Sequence, residues 1–574
     1  MTTGAGPVEV DVAILGAGVN GAGLFRDLCE QGVCCLIVDK ADFGSGTSAA
    51  PSRLIHGGLK YLETGEFRLV AESTLERNLL LRNAPHCVTP LPTLIPIFSW
   101  TKGVWAALRT MAGSKTAPRS RGAVLIKVGL ALYDFYGSRQ RVMPRYRLVG
   151  RRRALAELPP LTPSIVAAGI YYDASISRPE RLVLELVQDG LAACSGSLAA
   201  NYATLTTAAD GILAFATPDG QALSIRPRIV VNAAGPWIDR VNAALGAPSR
   251  LIGGTKGSHI LLDHDELLRA LDGRMIYFEA DDGRICLVFD YLGRALVGST
   301  DIPAADPDEV RCDDAEIDYL LDSLRALLPG LAFGREQIVY AYSGIRPLPA
   351  SDATTPGLIS RDHSAPVTEP AADRPFPIIS LVGGKWTTFR CFAEEVADTI
   401  LARLGRRRVS STRDLPIGGG RGFPASAAER ARWLAKAARE TGIPEARLDQ
   451  LLSRYGATAL AIARHRGAFA DADRLSDARD HSRAEIDWIA RNERVAHLAD
   501  IVMRRTTLAI TGALTARDLD AIAGVAAEAL GWDTARTALE VASVAAELIG
   551  RHRSHFLARP TGPTIVAEAE EAER

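Results

Sequence analysis

The feature that most constrains this chain lies in its first forty residues. Val10 to Leu15 is a short apolar run, followed by Gly16-Ala17-Gly18-Val19-Asn20-Gly21 and a helical pattern through Gln31. A second apolar run, Cys34 to Val38, ends at Asp39. Short apolar runs bounded by glycine read as buried strands. Strand, glycine turn, helix and strand together predict a βαβ unit that binds a dinucleotide. Gly16 permits the tight turn, Gly18 lets the backbone approach a pyrophosphate, and Gly21 lets helix and strand pack closely. The N–H groups at the helix start suit phosphates. Asp39 stands where an acid takes the ribose hydroxyls, roughly 20 residues on. A glycine-rich turn in a plain α/β sheet is the alternative reading.

The rest of the chain limits the other classes. Its 574 residues are enough for two or three domains. With 47% apolar and 23% charged residues the composition is ordinary, and a net charge of −1 names no partner. None of the eight cysteines sits in a CxxC or Cys/His cluster of zinc-like spacing, so reduced thiols and no metal centre are expected. The N-terminus lacks the basic and apolar regions of a signal peptide. No run of 18 apolar residues occurs, so a membrane span is not expected.

The glycine fingerprint leaves FAD and NAD open. Asp42 to Ser48 brings small residues and hydroxyls, Thr47 and Ser48 among them, close after the acid, which favours an extended ligand held by several segments. Ile229 to Gly235 reads as a buried strand ending in small residues, including Ala234 and Gly235, against which a cofactor can lie. Ile378 to Lys385 has the same form, with Gly383 and Gly384 before a helix start that contains Thr387 and Thr388. Such a helix start stabilises negative charge on a reduced ring, and Lys385 adds a formal positive charge. Arg346, next to Pro347, suits bidentate binding of phosphate or carboxylate, and Arg53 is a second candidate of that kind. His56, before Gly57 and Gly58, and His259, after Lys256-Gly257-Ser258, are the two candidates for a base of near-neutral pKa.

The blocks Ser52-Arg53-Leu54-Ile55-His56-Gly57-Gly58-Leu59-Lys60-Tyr61-Leu62-Glu63, Val231-Asn232-Ala233-Ala234-Gly235-Pro236-Trp237, Lys256-Gly257-Ser258-His259, Gly298-Ser299-Thr300-Asp301, Tyr342-Ser343-Gly344-Ile345-Arg346-Pro347 and Gly383-Gly384-Lys385-Trp386-Thr387-Thr388 carry a resemblance. In order and spacing the chain resembles the FAD-dependent, quinone-linked glycerol-3-phosphate dehydrogenases of the D-amino-acid-oxidase-like flavoprotein superfamily. The resemblance implies FAD, held by Gly16, Gly18, Gly21, Asp39, Thr47, Ser48, Gly57, Ala234, Gly235, Trp237, Gly384, Lys385 and Thr387. It implies oxidation of sn-glycerol 3-phosphate to dihydroxyacetone phosphate by hydride transfer to flavin N5, with Arg53, Arg346 and Lys385 holding phosphate or developing charge. His56 or His259 would take the hydroxyl proton. Electrons would pass to quinone, or to oxygen in an oxidase. Ser177-Arg178-Pro179-Glu180-Arg181-Leu182, Asp290-Tyr291 and Gly253-Gly254-Thr255 depart from the family pattern, which leaves the polyol phosphate open. Erythritol phosphate or an amino acid is the alternative substrate, and a flavin-binding membrane scaffold is the non-enzymatic reading.

The expected fold class is α/β. A discontinuous, Rossmann-like FAD-binding domain spans 8–97, 153–245 and 340–410, and a β-rich substrate domain spans 246–339. After a linker over Asp414 to Phe423, a helical C-terminal domain rich in Ala, Leu, Arg and Glu spans 424–555, with a frayed tail from Pro560. The insertion 98–152 is basic: residues 101–153 carry thirteen Lys and Arg against the single acid Asp134. With Trp100, Trp105, Leu108, Met111 and an apolar helix from Val124 to Tyr136, it suits an anionic bilayer surface. The resemblance implies a cytoplasmic protein, peripheral at the cytoplasmic face of the inner membrane, with a homodimer as one possible assembly. No nucleic-acid motif is present.

Overall fold

The computed structural model describes residues 6–62, 65–101, 122–138, 142–218, 220, 222–304, 306–350 and 363–554. Trp105, Leu108, Met111 and the tail from Pro560 lie outside the described residues.

The N-terminal run forms the centre of a parallel sheet. Val8–Leu15 pairs in parallel with Cys35–Val38 on one side and with Ala222–Asn232 on the other. Leu198–Ala200 and Ile378–Ser380 extend the sheet outward, again in parallel. Residues of the first strand enter two different cores. Val12 and Ile14 pack toward the helices, while Val10, Ala13 and Leu15 join a second cluster with Leu213, Phe215 and Phe376. Its inner half, Val12–Leu15, is covered on both faces and apolar throughout, while Glu9 and Asp11 fall in the less buried first half. The helix Val19–Glu30 lies against the helices Pro179–Ala193 and Phe389–Arg403. The register aligns the strand ends. Leu15 is opposite both Val38 and Asn232, and Asn232 is opposite Ser380. Segments far apart in sequence therefore leave the sheet along one edge, where open α/β sheets bind ligands.

The second sheet is larger than expected. Its strands include Ile252–Leu262, Met275–Glu279, Ile285–Tyr291 and Arg294–Gly298 from the range assigned to the substrate domain. It also takes Leu54–Ile55, Val88–Ile97, Ala167–Ile176 and Ile338–Pro349, so the nucleotide domain is smaller than the ranges 8–97, 153–245 and 340–410. Arg147–Gly150, from the basic insertion, is a strand of this sheet too. Val88–Ile97 and Ala167–Ile176 pair antiparallel along their full length. Pro90, Pro92 and Pro96 share one parity, so the N–H groups they lack all belong to one edge of the strand. That edge meets Met275 and Ile276 only at Thr93 and Leu94.

The C-terminal region is helical, as expected, with helices at Ala427–Thr441, Glu445–Tyr455, Ala459–Arg464, Arg483–Asn492, Ala516–Leu530 and Thr534–Gly550. Ser426, Ser482, Thr515 and Asp533 accept the N–H that each cap site offers. The segment expected to be a linker is not a loose one. A Cβ on Gly419 would stand 2.1 Å from the Tyr455 carbonyl oxygen, and one on Gly420 2.2 Å from that of Asn83. The glycines serve close backbone approach rather than flexibility.

The helix at Ala123–Tyr136 matches the expectation for that run. Ile126, Leu130 and Tyr133 face the interior, while Val128 and Phe135 are 53% and 70% exposed. Among the described residues, no helix is long and apolar enough to cross a membrane.

Candidate functional site

A cavity of 690 Å³ opens along the aligned strand ends. Its lining includes Gly16, Gly18, Asp39, Thr47, Ser48, Arg53, Ala234, Gly235, Trp237, Gly384 and Lys385. Pockets of ~300–1,000 Å³ are the usual size for cofactors and drug-sized ligands. Gly21, His56, Gly57, His259, Arg346 and Thr387 are outside that lining.

The glycine turn is built by contact. Gly16 has φ +108°, and a Cβ there would stand 2.5 Å from the Ala233 carbonyl oxygen. A Cβ on Gly21 would lie 2.0 Å from the Gly16 carbonyl oxygen, so the helix seats only with glycine at that position. Ser48 accepts the Val19 N–H at 2.9 Å, which fixes the loop after Asp42 against the helix start. Thr47 donates to the Ile345 carbonyl at 2.7 Å, so its hydroxyl joins the two sheets.

Asp39 is half-buried and accepts the N–H groups of Ala17 at 2.7 Å and Ala41 at 3.0 Å. Burial outweighs these bonds and pushes its carboxyl up to about 6. Beside it, the Lys40 ammonium lies 4.3 Å from the Trp237 ring centroid and 3.0 Å from Asp308, which also accepts the Trp237 indole N–H. Neither Lys40 nor Asp308 was singled out from the sequence, although Lys40 directly follows the acid.

At the other end, Lys385 lies over the Tyr61 ring at 3.8 Å and donates to Ser73 at 3.1 Å. Asn20 donates to the Gly383 carbonyl at 3.4 Å. Its own side-chain oxygen is buried and has no hydrogen-bond partner among the described residues. Asn20 lines the cavity, so this acceptor faces a space where a ligand donor can satisfy it. It sat inside the glycine motif, but a sequence offers no way to see an unsatisfied atom.

The expected anion and proton ligands divide. Arg53 is buried and paired to Glu180 by Nη1 at 2.9 Å and Nη2 at 2.8 Å, with a further bond to the Ala49 carbonyl. Burial alone would lower its pKa, but Glu180 reverses the sign. This guanidinium is engaged in a buried ion pair, although Arg53 also lines the cavity. His56 turns its backbone to Thr387, whose hydroxyl accepts from the His56 N–H and donates to its carbonyl. The Gly57 N–H donates to Tyr133 at 2.8 Å and to Asp173 at 3.2 Å. Gly57 and Thr387 thus support the cavity wall instead of lining it.

His259 and Arg346 come together on neighbouring strands. Thr255 is opposite Arg346 and His259 opposite Tyr342, and the His259 ring stacks on Tyr342 at 4.8 Å. Arg346 is held by Asp301 at 3.0 Å, Ser299 at 2.9 Å and the Thr300 carbonyl at 3.0 Å. His259 shares a 2.8 Å bond between Nε2 and Ser52, and its Nδ1 is buried without a partner. Burial, then Arg346 and Arg53, hold its pKa well below the ordinary value, so the imidazole is neutral.

Residues 11–369 match the family model described as FAD dependent oxidoreductase, and residues 410–537 match the C-terminal domain of alpha-glycerophosphate oxidase. A glycerol-3-phosphate dehydrogenase of Synechocystis sp. is 32% identical over 524 residues, covering 87% of this chain and 89% of the relative. The chain belongs to the FAD-dependent glycerol-3-phosphate dehydrogenase family. A D-erythritol 1-phosphate dehydrogenase of Brucella abortus is 30% identical, covering 72% of this chain and 78% of that one. The fold is that of the glycerol-3-phosphate dehydrogenase from Bacillus halodurans complexed with FAD, with a TM-score of 0.71, 22% identity and 94% of each chain covered. The site fits the cofactor of this family. The glycine cradle, the acid at Asp39 and the unsatisfied Asn20 oxygen each meet a need that FAD presents.

Proposed function

We propose that the chain oxidises the secondary hydroxyl of sn-glycerol 3-phosphate to dihydroxyacetone phosphate and passes the electrons to a membrane quinone. The observation that carries this reading is the pairing of a fixed cation, Arg346, with a neutral imidazole, His259, on adjacent strands of the sheet that meets the cavity. Bound FAD supplies the hydride acceptor. Asp301, Ser299 and Thr300 hold the Arg346 guanidinium in one orientation, which suits bidentate binding of a phosphate. Lys385 contributes a second positive charge at the cavity wall. His259 accepts the hydroxyl proton. An anionic phosphate opposite Arg346 cancels part of the field that lowers the His259 pKa, so the base strengthens when substrate is in place. His259 is preferred as the base because it stands in the field of Arg346 and its Nδ1 is buried without a partner among the described residues.

Quinone as acceptor and a bilayer as partner are supported by the helix Ala123–Tyr136, whose apolar outer face continues from the basic stretch. The relative that acts on D-erythritol 1-phosphate keeps the four-carbon substrate as the second reading. Anaerobic titration of the purified yellow protein separates them. Saturable bleaching of the flavin by sn-glycerol 3-phosphate at lower concentration than by erythritol phosphate is expected. Bleaching by erythritol phosphate or an amino acid alone would refute the assignment.

A further inference from the structure

The C-terminal helical domain plays no part in the chemistry above, yet it forms one wall of the cofactor cavity. His497, Met503, Arg504, Val544 and Glu547 all line it. The contact between this domain and the cavity loops is made by buried charges. Asp42 has no exposed surface, and its loop runs on through Ser45, Gly46, Thr47 and Ser48 along the cavity. Its two oxygens receive Arg505 through Nη1 at 2.6 Å and Nη2 at 2.9 Å, and Arg504 through Nε at 2.7 Å. Both arginines end the helical turn Asp500–Arg505 of the C-terminal domain. The same turn grips a second loop. Asp500 accepts the Tyr202 hydroxyl at 2.5 Å, and the His497 ring meets the edge of Tyr202 at 4.5 Å.

These two loops lie at the acid that serves the ribose. The Tyr202 N–H donates to the Ala41 carbonyl, and the Ala203 N–H donates to that of Asp39. Asn201 bonds Asp42 at 3.0 Å. One turn of the C-terminal domain therefore closes a ring around residues 39–42 and 201–203. Arg505 is anchored behind by the Glu493 carbonyl, and the Glu493 carboxylate takes Arg181 at 2.8 Å through both oxygens. A buried carboxylate keeps its position only while its cations stay in place. Two ordering events that share these loops must favour each other.

We propose that the C-terminal domain is a cofactor clamp: Arg504 and Arg505, through Asp42, and Asp500, through Tyr202, hold the loops that enclose the ribose end of FAD. Cofactor release then requires this domain to lift. Asp42, Asp500 and Arg505 are positioning residues, acting through the loops. The test uses full-length holoprotein and follows FAD release by flavin fluorescence after dilution. Arg505→Met and Tyr202→Phe are expected to speed release, by about tenfold or more for Arg505→Met. Arg504→Lys, which keeps the charge, should retain most of the hold. A second measurement needs no variant. Trypsin cleavage between the domains, at Arg413 or Arg421, should be about tenfold faster in FAD-stripped protein than in holoprotein if cofactor and domain are linked. Variants that fold and release FAD at the unaltered rate would overturn the clamp. So would equal cleavage with and without FAD, and that result decides the matter if the variants do not fold.

Discussion

Asp39 shows how one residue carries both fold and function. Its carboxylate caps the turn by accepting Ala17 and Ala41, while burial raises its pKa to about 6. If Asp39 takes the FAD ribose, the ribose hydroxyls donate to its ionised form. Below pH 6 the free protein holds a proton there that binding must expel, so FAD affinity falls as pH drops through 6, by at most about tenfold per unit. Above pH 6 this contribution is flat. Fluorescence titration across pH 4.5 to 8 checks the slope, and Asp39→Asn should bind weakly and lose it. Arg346 is the second residue with a clear outcome. If it holds the substrate phosphate, Arg346→Ala raises KM by roughly tenfold or more, since a charge-assisted pair contributes a few kcal/mol. An unchanged KM in steady-state assays would remove it from the substrate. Gly16, Gly18 and Asp39 were legible in sequence because each answers to backbone geometry or to a fixed spacing. Arg53 was not, because its fate depends on Glu180, 127 residues away.

At the scale of elements, the helix Ala123–Tyr136 is packed on one face and leaves apolar side chains exposed on the other. Tyr133 bonds Gly57 and Asp173 inside, and Arg77 pairs with Asp173 at 3.0 Å. Outside, Val124, Val128 and Phe135 are 50%, 53% and 70% exposed. Apolar side chains left exposed along one face of a helix mark a contact surface. Full-length protein should float with anionic vesicles, less so in high salt, and Val128→Asp with Phe135→Asp should abolish flotation while leaving the flavin spectrum unchanged. Recovery of both variants with the vesicles would rule this face out. The helix itself was readable from its periodicity. The strand Val88–Ile97 was not assigned to its sheet, because prolines at 90, 92 and 96 speak against a central strand. Only its partners, full pairing on one edge and two residues on the other, explain how it is accommodated.

Across the whole molecule, the nucleotide sheet, the substrate sheet and the helical domain meet at one cavity. Arg181 joins them: it starts from the helix Pro179–Ala193, pairs with Glu493, and lies 4.5 Å from the Tyr455 ring centroid. Arg181, in the run Ser177 to Leu182, therefore sits at an interdomain contact. Two neighbouring ion pairs, Asp42 with Arg505 and Arg447 with Glu485, are as deeply buried. The sequence by itself determined the βαβ unit, the cofactor class, the family and the helical nature of the C-terminal third. Each of these rests on local spacing and on ordered blocks, which a linear chain carries. Only the tertiary structure decided which carboxylate each arginine pairs with, that His259 stands in the field of two cations, and which domain walls the cavity. Those outcomes depend on burial and on charges brought together from distant segments, and neither is written at any single position of the chain.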